Sequence, residues 1–282
     1  MSDDMRLSGK RPVSHRILQL LFSVMLIVNL YPIVWIFFNS LKTDDQLYDN
    51  PFNFPAIPKW SNYAEAWVSG KVGQYFMNSV FTSVASVLFI LILSTWAAFF
   101  ISRFEFKGKS FIYSFFILGM LIPLHSTLVP LFIELNHLDL LNTRVTLLFP
   151  YTAFNLPISI LLLVSYMNTL PRDLEEAGIM DGAGVLDIFA RVTLPMVRPV
   201  LVTVLVLAFI DTWNEFSYAL VLISDSDLKT LPLGIAGMSE RYKQNYTLQM
   251  AAVMIVLVPT IAFYLSFQKQ LTEGMTAGSV KG

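Results

Sequence analysis

The chain has 282 residues, of which 55% are hydrophobic and 14% are charged, whereas a soluble domain carries about 25% charged residues. The formal net charge is −1 and cysteine is absent, which argues against nucleic-acid binding and excludes disulfides and thiolate metal sites. The three histidines show no metal-ligand spacing. The composition therefore predicts an integral membrane protein with no metal site. Because no paired His/Asp set or nucleophile–base cluster is visible, we expect no catalytic residues, and we expect no cofactor in this chain itself.

Long apolar runs follow one another along the chain. They are Ile17–Asn39, Tyr75–Ser102, Ser110–Ile133, Val145–Pro171, Pro199–Ser224 and Gln244–Gln268. Each exceeds the roughly 20 residues that cross about 30 Å of hydrocarbon, and each must satisfy its backbone within the segment. We expect an all-α integral membrane fold with about six transmembrane helices. Residues 17–268 would form the transmembrane domain, between tails at 1–16 and 269–282.

Lysine and arginine are unevenly distributed between the two sets of connecting segments. If the N-terminus is cytoplasmic, twelve of them fall on the cytoplasmic side and seven on the outer side. Because positively charged loops stay in the cytoplasm, this bias predicts that both termini are cytoplasmic. An even number of helices gives the same topology.

The segment between the fourth and fifth runs, residues 171–195, predicts two short helices. The first helix is expected to begin at Pro171 and to end near Gly182 and Gly184. In the second, apolar residues recur at helical spacing up to Pro195. Small residues in the segment would let another protein's backbone approach closely, which suits insertion into a groove. An amphipathic helix lying on lipid fits the same shape equally well.

Spaced residues in this segment resemble the EAA motif of the membrane subunits of ATP-binding-cassette (ABC) importers. The matching residues are Glu176-Ala177, Gly182 and Leu194-Pro195. Gly178 stands where the motif has alanine, so a small residue is kept with a more flexible backbone. The resemblance implies that ATPase coupling involves Glu176, Ala177, Gly178, Asp181, Gly182 and Pro195. Glu176 would be the anchoring charge, although a solvated carboxylate in the first helical turn is the simpler alternative.

Further segments resemble the sugar-importer branch, specifically its maltose-transporter G-type permeases. They are Asn62-Tyr63, Ala66-Trp67, Asn78-Ser79, Met120–Pro123, Pro130-Leu131, Trp213–Glu215, Thr230–Pro232 and the tail 270–282. The resemblance implies the type I ABC importer fold in a bacterial plasma (inner) membrane. It also implies a second homologous permease, two ATPase subunits and an extracytoplasmic sugar-binding protein as partners.

The same resemblance implies a permease subunit that forms half of the translocation path for a sugar or oligosaccharide. The chain contains no Walker-type loop, so ATP and Mg²⁺ would be bound by the partner ATPases. An ABC permease for another solute, such as an amino acid or phosphate, is the alternative. An ion-coupled secondary transporter is less favoured because no internal repeat is visible.

Polar residues within the membrane runs are candidates for the path or its gate. Asp211 and Glu215 are four residues apart and would share one helical face. They would form an outer gate or bind sugar, or else pair structurally at the outer boundary. The remaining candidates are Asn78, Tyr151, Asn155, Ser159 and Asn214. Each of these would line the path or hold helices together.

Overall fold

The computed structural model describes residues 13–238 and 245–277, and the side chains of residues 17–238 and 245–268. Within these ranges every regular element is helical. The helices are α1 (Val13–Ser40), α2 (Asp44–Asp49), α3 (Ser61–Val68), α4 (Val72–Arg103), α5 (Lys109–Gly119), α6 (Leu124–His137), α7 (Leu148–Met167), α8 (Asp173–Met180), α9 (Val185–Met196), α10 (Arg198–Asn214), α11 (Ser217–Leu222), α12 (Leu231–Ala236) and α13 (Tyr246–Ala277). The expected all-α membrane fold is confirmed.

Four of the described helices are long and apolar enough to cross a membrane alone, namely α1, α4, α7 and α13. Two further crossings are bent pairs, since α5 and α6 meet at 102° and α9 and α10 meet at 75°. Counting each pair as one crossing gives up to six spans, in agreement with the number expected from the apolar runs.

The third apolar run is not one straight helix. α5 ends at Gly119, and Pro123 precedes α6 in an extended conformation with ψ of 129°. A proline has no N–H to donate and disfavours the helical conformation of the residue before it, here Ile122. The run therefore bends sharply between its two halves.

The fifth run is also interrupted, because α10 ends at Asn214 and Glu215 is extended with ψ of 132°. The φ of Glu215 is −64°, so its side chain keeps the helical direction, and Asp211 and Glu215 both face α7, as predicted. The Glu215 carboxylate also accepts hydrogen bonds from the backbone N–H of Tyr218 at 2.7 Å and of Ala219 at 3.3 Å. A carboxylate at the start of a helix satisfies free N–H groups and favours the helix dipole, so Glu215 serves α11.

The core of the bundle lies between α4, α7 and α10. Ile90, Leu163 and Val204 are almost completely buried there. α1 packs against α13 at the edge of the bundle, and its apolar side chains are exposed, as expected for a helix covered by lipid tails. The central helices therefore form the most closely packed part of the bundle.

Candidate functional site

The first helix of segment 171–195 is α8, which begins at Asp173, two residues later than the predicted start at Pro171. The backbone N–H groups of Glu175 and Glu176 both donate to the Arg172 carbonyl at 2.9 Å. Arg172 therefore occupies the N-cap position, and Pro171 lies outside the helix.

α8 ends in a two-hydrogen-bond turn at Gly182, as predicted. Gly182 has a left-handed φ of 80° and donates its N–H to the Ile179 carbonyl at 3.0 Å, while Ala183 donates to the Gly178 carbonyl at 2.9 Å. This pattern is a Schellman motif, which favours glycine at the left-handed position. Gly184 has a different role from the one predicted, because it is the N-cap of the next helix.

The second helix of the segment, α9, was expected to be regular, but its residues Ile188–Thr193 form a π-helical turn. Leu194 donates its N–H to the Phe189 carbonyl, five residues back. In a regular α-helix the ring of Pro195 would clash with a carbonyl one turn earlier, and a wider turn relieves this clash. Phe189 also stacks on Trp96 of α4, with ring centroids 4.0 Å apart. α9 is thus fixed to the membrane bundle.

The opposite face of α8 and α9 is exposed. Met180 is 87% exposed and Leu186 is 67% exposed, and Glu176, Ala177 and Asp181 are exposed beside them. Exposed large apolar side chains beside charged groups are found at contact sites for another protein or for a membrane. The structure therefore brings the predicted coupling residues together on one accessible face, with Pro195 at its membrane end.

Glu175 is the functional candidate that the sequence analysis missed. Its side chain is 9% exposed, and its carboxylate lies 2.8 Å from Nε of Arg103, the last residue of α4. Thr193 of α9 donates to the same carboxylate at 3.1 Å. The adjacent glutamates therefore differ in environment, with Glu175 buried against the bundle and Glu176 exposed. A pair of consecutive carboxylates at the start of a helix was the only signal in the sequence.

A polar cluster joins α7 to the end of α10 within the membrane bundle. The Tyr151 hydroxyl donates to Glu215 at 2.8 Å, and the Asn155 amide donates to Asp211 at 2.9 Å. The Ser159 hydroxyl donates to the Asn155 carbonyl one turn away at 2.7 Å. Tyr151, Asn155 and Ser159 are buried, whereas Asp211 is exposed. Asp211 thus presents a carboxylate at the surface, and the buried Asn155 orients it.

Asn214 and Asn78 lie outside this cluster. The exposed Asn214 amide returns to the Ile210 carbonyl of its own helix at 2.8 Å. Asn78 lies near the end of α4 that is remote from α8, where its amide donates to the carbonyls of Asp227 at 2.8 Å and Lys229 at 3.0 Å. Asn78 also borders a cavity of about 370 Å³. Among residues 13–238 and 245–277, no group of side chains is arranged to hold a metal ion.

The Asp227 side chain, which borders the same cavity, is held by an ion pair. Lys71 Nζ lies 2.9 Å from its Oδ1, and this hydrogen bond lowers the pKa of the Asp227 carboxyl. Arg144 lines the same cavity. The end of the bundle remote from α8 therefore combines charged side chains of both signs.

Residues 90–276 match the protein family described as binding-protein-dependent transport system inner membrane component. The chain belongs to this family. As a family member it is an ABC importer permease, a transport component rather than an enzyme, and it crosses the membrane more than once. The resemblance inferred from the EAA residues is thereby confirmed at the level of the family.

Several similar proteins are permeases of this family over nearly their full length. The diacetylchitobiose uptake system permease protein NgcG of Streptomyces coelicolor is 35% identical, over 95% of this chain and 88% of that protein. The trehalose/maltose transport system permease protein MalG of Thermococcus litoralis is 32% identical, over 97% of this chain and 99% of that protein.

The fold is shared with a solved ABC importer. A crystal structure of a bacterial ABC transporter involved in the import of the acidic polysaccharide alginate aligns with a TM-score of 0.79. The alignment covers 93% of this chain and 99% of that chain, at 24% sequence identity. The type I importer fold is therefore established for this permease.

Proposed function

We propose that this permease imports a sugar or oligosaccharide and forms half of the translocation path with a second, homologous permease. Relatives named for diacetylchitobiose and for trehalose and maltose support this solute class. In the proposed complex two ATPase subunits bind ATP and Mg²⁺ on the cytoplasmic side, and an extracytoplasmic binding protein delivers the sugar. Both termini lie in the cytoplasm of a bacterial plasma membrane, because the lysine and arginine bias favours that topology.

The accessible face of α8 and α9 is proposed to be the contact with one ATPase. The observation that carries this proposal is the exposed position of Glu176 among exposed apolar side chains, on a short helix that ends in a turn at Gly182. A preformed shape lowers the entropic cost of binding. The Glu176 carboxylate then pairs with a basic or polar group in the groove of the ATPase.

Affinity purification of the tagged permease from its native membrane tests this assembly. We expect two copies of an ATPase and one copy of a second permease to copurify. A permease that purifies alone and transports solute in vesicles without ATP would contradict the proposal and would favour an ion-coupled transporter.

The exposed Asp211 carboxylate is proposed to face the path, where it accepts hydrogen bonds from sugar hydroxyls. Asn155 orients it, and the bond from Tyr151 to Glu215 stabilises the neighbouring turn. Asn78 and Asn214 are proposed to lie near the outer entrance, and Ser159 supports the buried side of the cluster.

Uptake of a panel of labelled solutes by the reconstituted complex tests the solute class. We expect accumulation of an oligosaccharide and no accumulation of amino acids or phosphate. Accumulation of an amino acid or phosphate instead would show an ABC permease for another solute. In the sugar-transporting complex, Asp211→Asn should reduce uptake while ATP hydrolysis continues.

A further inference from the structure

A buried ion pair lies directly beneath the exposed face of α8. Arg103 and Glu175 have side chains that are only 6% and 9% exposed, and Nε of the arginine is 2.8 Å from the carboxylate. Arg103 Nη1 also donates to the carbonyl of Met167, the last residue of α7, at 2.8 Å. One guanidinium therefore joins α8 to the ends of α4 and α7.

The carboxylate of the pair makes a second connection. The Thr193 hydroxyl, which is fully buried, donates to Glu175 at 3.1 Å. Thr193 is the last residue of the π-helical turn in α9, which continues past a 75° bend into α10. We call this group the latch; it consists of Arg103, Glu175, Thr193 and the Met167 carbonyl. It connects α8 to α4, α7 and α9.

Stability alone does not explain such an arrangement. Replacing a buried ion pair with apolar side chains of similar volume is often neutral or stabilising, because removing two charges from water is costly. A fork-shaped guanidinium that is held at several points does, however, fix direction and distance. The pair also lies between α8 and the ends of α4 and α7, beside a second link from Arg172 to the Ser102 carbonyl of α4 at 3.2 Å.

We propose that the latch is the rigid connection that transmits movement of α8 to the membrane helices, with Arg103 and Glu175 as positioning residues. This inference rests on the proposed contact between α8 and an ATPase. Glu176 binds the ATPase on the outer face, and Glu175 transfers the displacement on the inner face. A latch that is weakened lets α8 move with the ATPase while the membrane helices lag behind.

The test measures the amount of ATP hydrolysed per sugar transported, in proteoliposomes that contain the complete complex and its binding protein. Glu175→Gln keeps the shape of the side chain but removes its charge, and Arg103→Lys keeps the charge but removes the fork. Coupling free energies between sites typically correspond to about fivefold or larger effects, so we expect each variant to raise this ratio by about fivefold or more.

A matched control removes a similar ion pair from the surface. Glu105→Gln breaks the exposed pair with Lys109, 2.7 Å apart, close to the same end of α4. We expect this variant to keep the ratio of the unmodified complex. A similar rise in Glu105→Gln would overturn the proposal, because it would show a general effect of lost charge.

Covalent rescue separates transmission from simple stability. The chain contains no cysteine, so the double variant Arg103→Cys with Glu175→Cys can be bridged selectively by a short bifunctional thiol reagent, with the cysteine-free permease as the reagent control. We expect the unbridged double variant to be uncoupled and the bridged one to regain coupling. Failure of the bridge to restore coupling would overturn the proposal.

Loss of protein yield does not obscure the result, because the ratio is measured on purified, assembled complexes. If Glu175→Gln and Arg103→Lys both stay below about a fivefold rise, the latch proposal is wrong while the contact with the ATPase stands. If the unmodified complex shows no ATP-dependent uptake at all, the proposed function itself fails.

Discussion

The turn at the end of α8 allows a sharp test in which two similar substitutions act in opposite directions. Gly182 has a φ of 80°, with open space around the position of a Cβ atom. The added methyl group of Gly182→Ala therefore meets no neighbour, and its cost is conformational. An L-residue in the left-handed region costs about 1–2 kcal/mol, which corresponds to about a 5–30-fold shift towards an open turn.

The matched control is Gly178→Ala, one turn earlier in the same helix. A Cβ atom there would lie 3.7 Å from Ile188 and 4.0 Å from Ala183, which is ordinary van der Waals contact. Because alanine is favoured over glycine in a helix interior by about 0.5–1 kcal/mol, this variant should stabilise α8. It also restores the alanine of the EAA motif.

Hydrogen exchange followed by mass spectrometry on the purified complex measures both effects at the amides of residues 178–184. We expect exchange to be faster by about 5–30-fold in Gly182→Ala, together with weaker stimulation of ATP hydrolysis by the binding protein. Gly178→Ala should exchange at the original rate or more slowly. Equal exchange in the two variants would refute the assignment of the Schellman turn.

Two further predictions concern the rest of the bundle. Gly234→Ala should strongly lower the thermal stability of the purified permease, because its Cβ would overlap the buried ring of Tyr75 on α4. Gly237→Ala should be tolerated, because the nearest atoms lie at 3.5 Å or more. Equal melting temperatures of the two variants would contradict this packing. Asn155→Ala should cost about 1.5–3 kcal/mol because it removes a hydrogen bond to the Asp211 carboxylate. The exposed Asn214→Ala should cost less than about 0.5 kcal/mol in chemical unfolding, and the reverse order would argue against the cluster.

The number and type of membrane helices could be predicted from the apolar runs, because hydrocarbon requires long helices whatever the details of their packing. The bends could not be located from the same runs. Pro123 sits at a 102° bend between two helices, whereas Pro157 lies inside the continuous helix α7. Neighbouring helices decide whether a proline interrupts a membrane helix, and the sequence does not display those neighbours.

The coupling segment was predicted more fully than the polar cluster, for a physical reason. Gly182 needs only its local backbone conformation, so a sequence motif identifies it. The contacts of Asn155 with Asp211 and of Arg103 with Glu175 link residues that are 56 and 72 positions apart. Such pairs depend on how the helices cross, and for this reason Glu175 was overlooked in favour of its neighbour.

The most direct test of the account reverses the charge that faces the ATPase. Glu176→Lys should abolish sugar uptake by the reconstituted complex, while the permease remains inserted in the membrane and the ATPases continue to hydrolyse ATP. Glu65→Lys makes the same change at an exposed position of α3, another eight-residue helix at the opposite end of α4, and should leave uptake intact. Normal, ATP-dependent uptake by Glu176→Lys would contradict the central claim that this face of α8 couples ATP hydrolysis to transport.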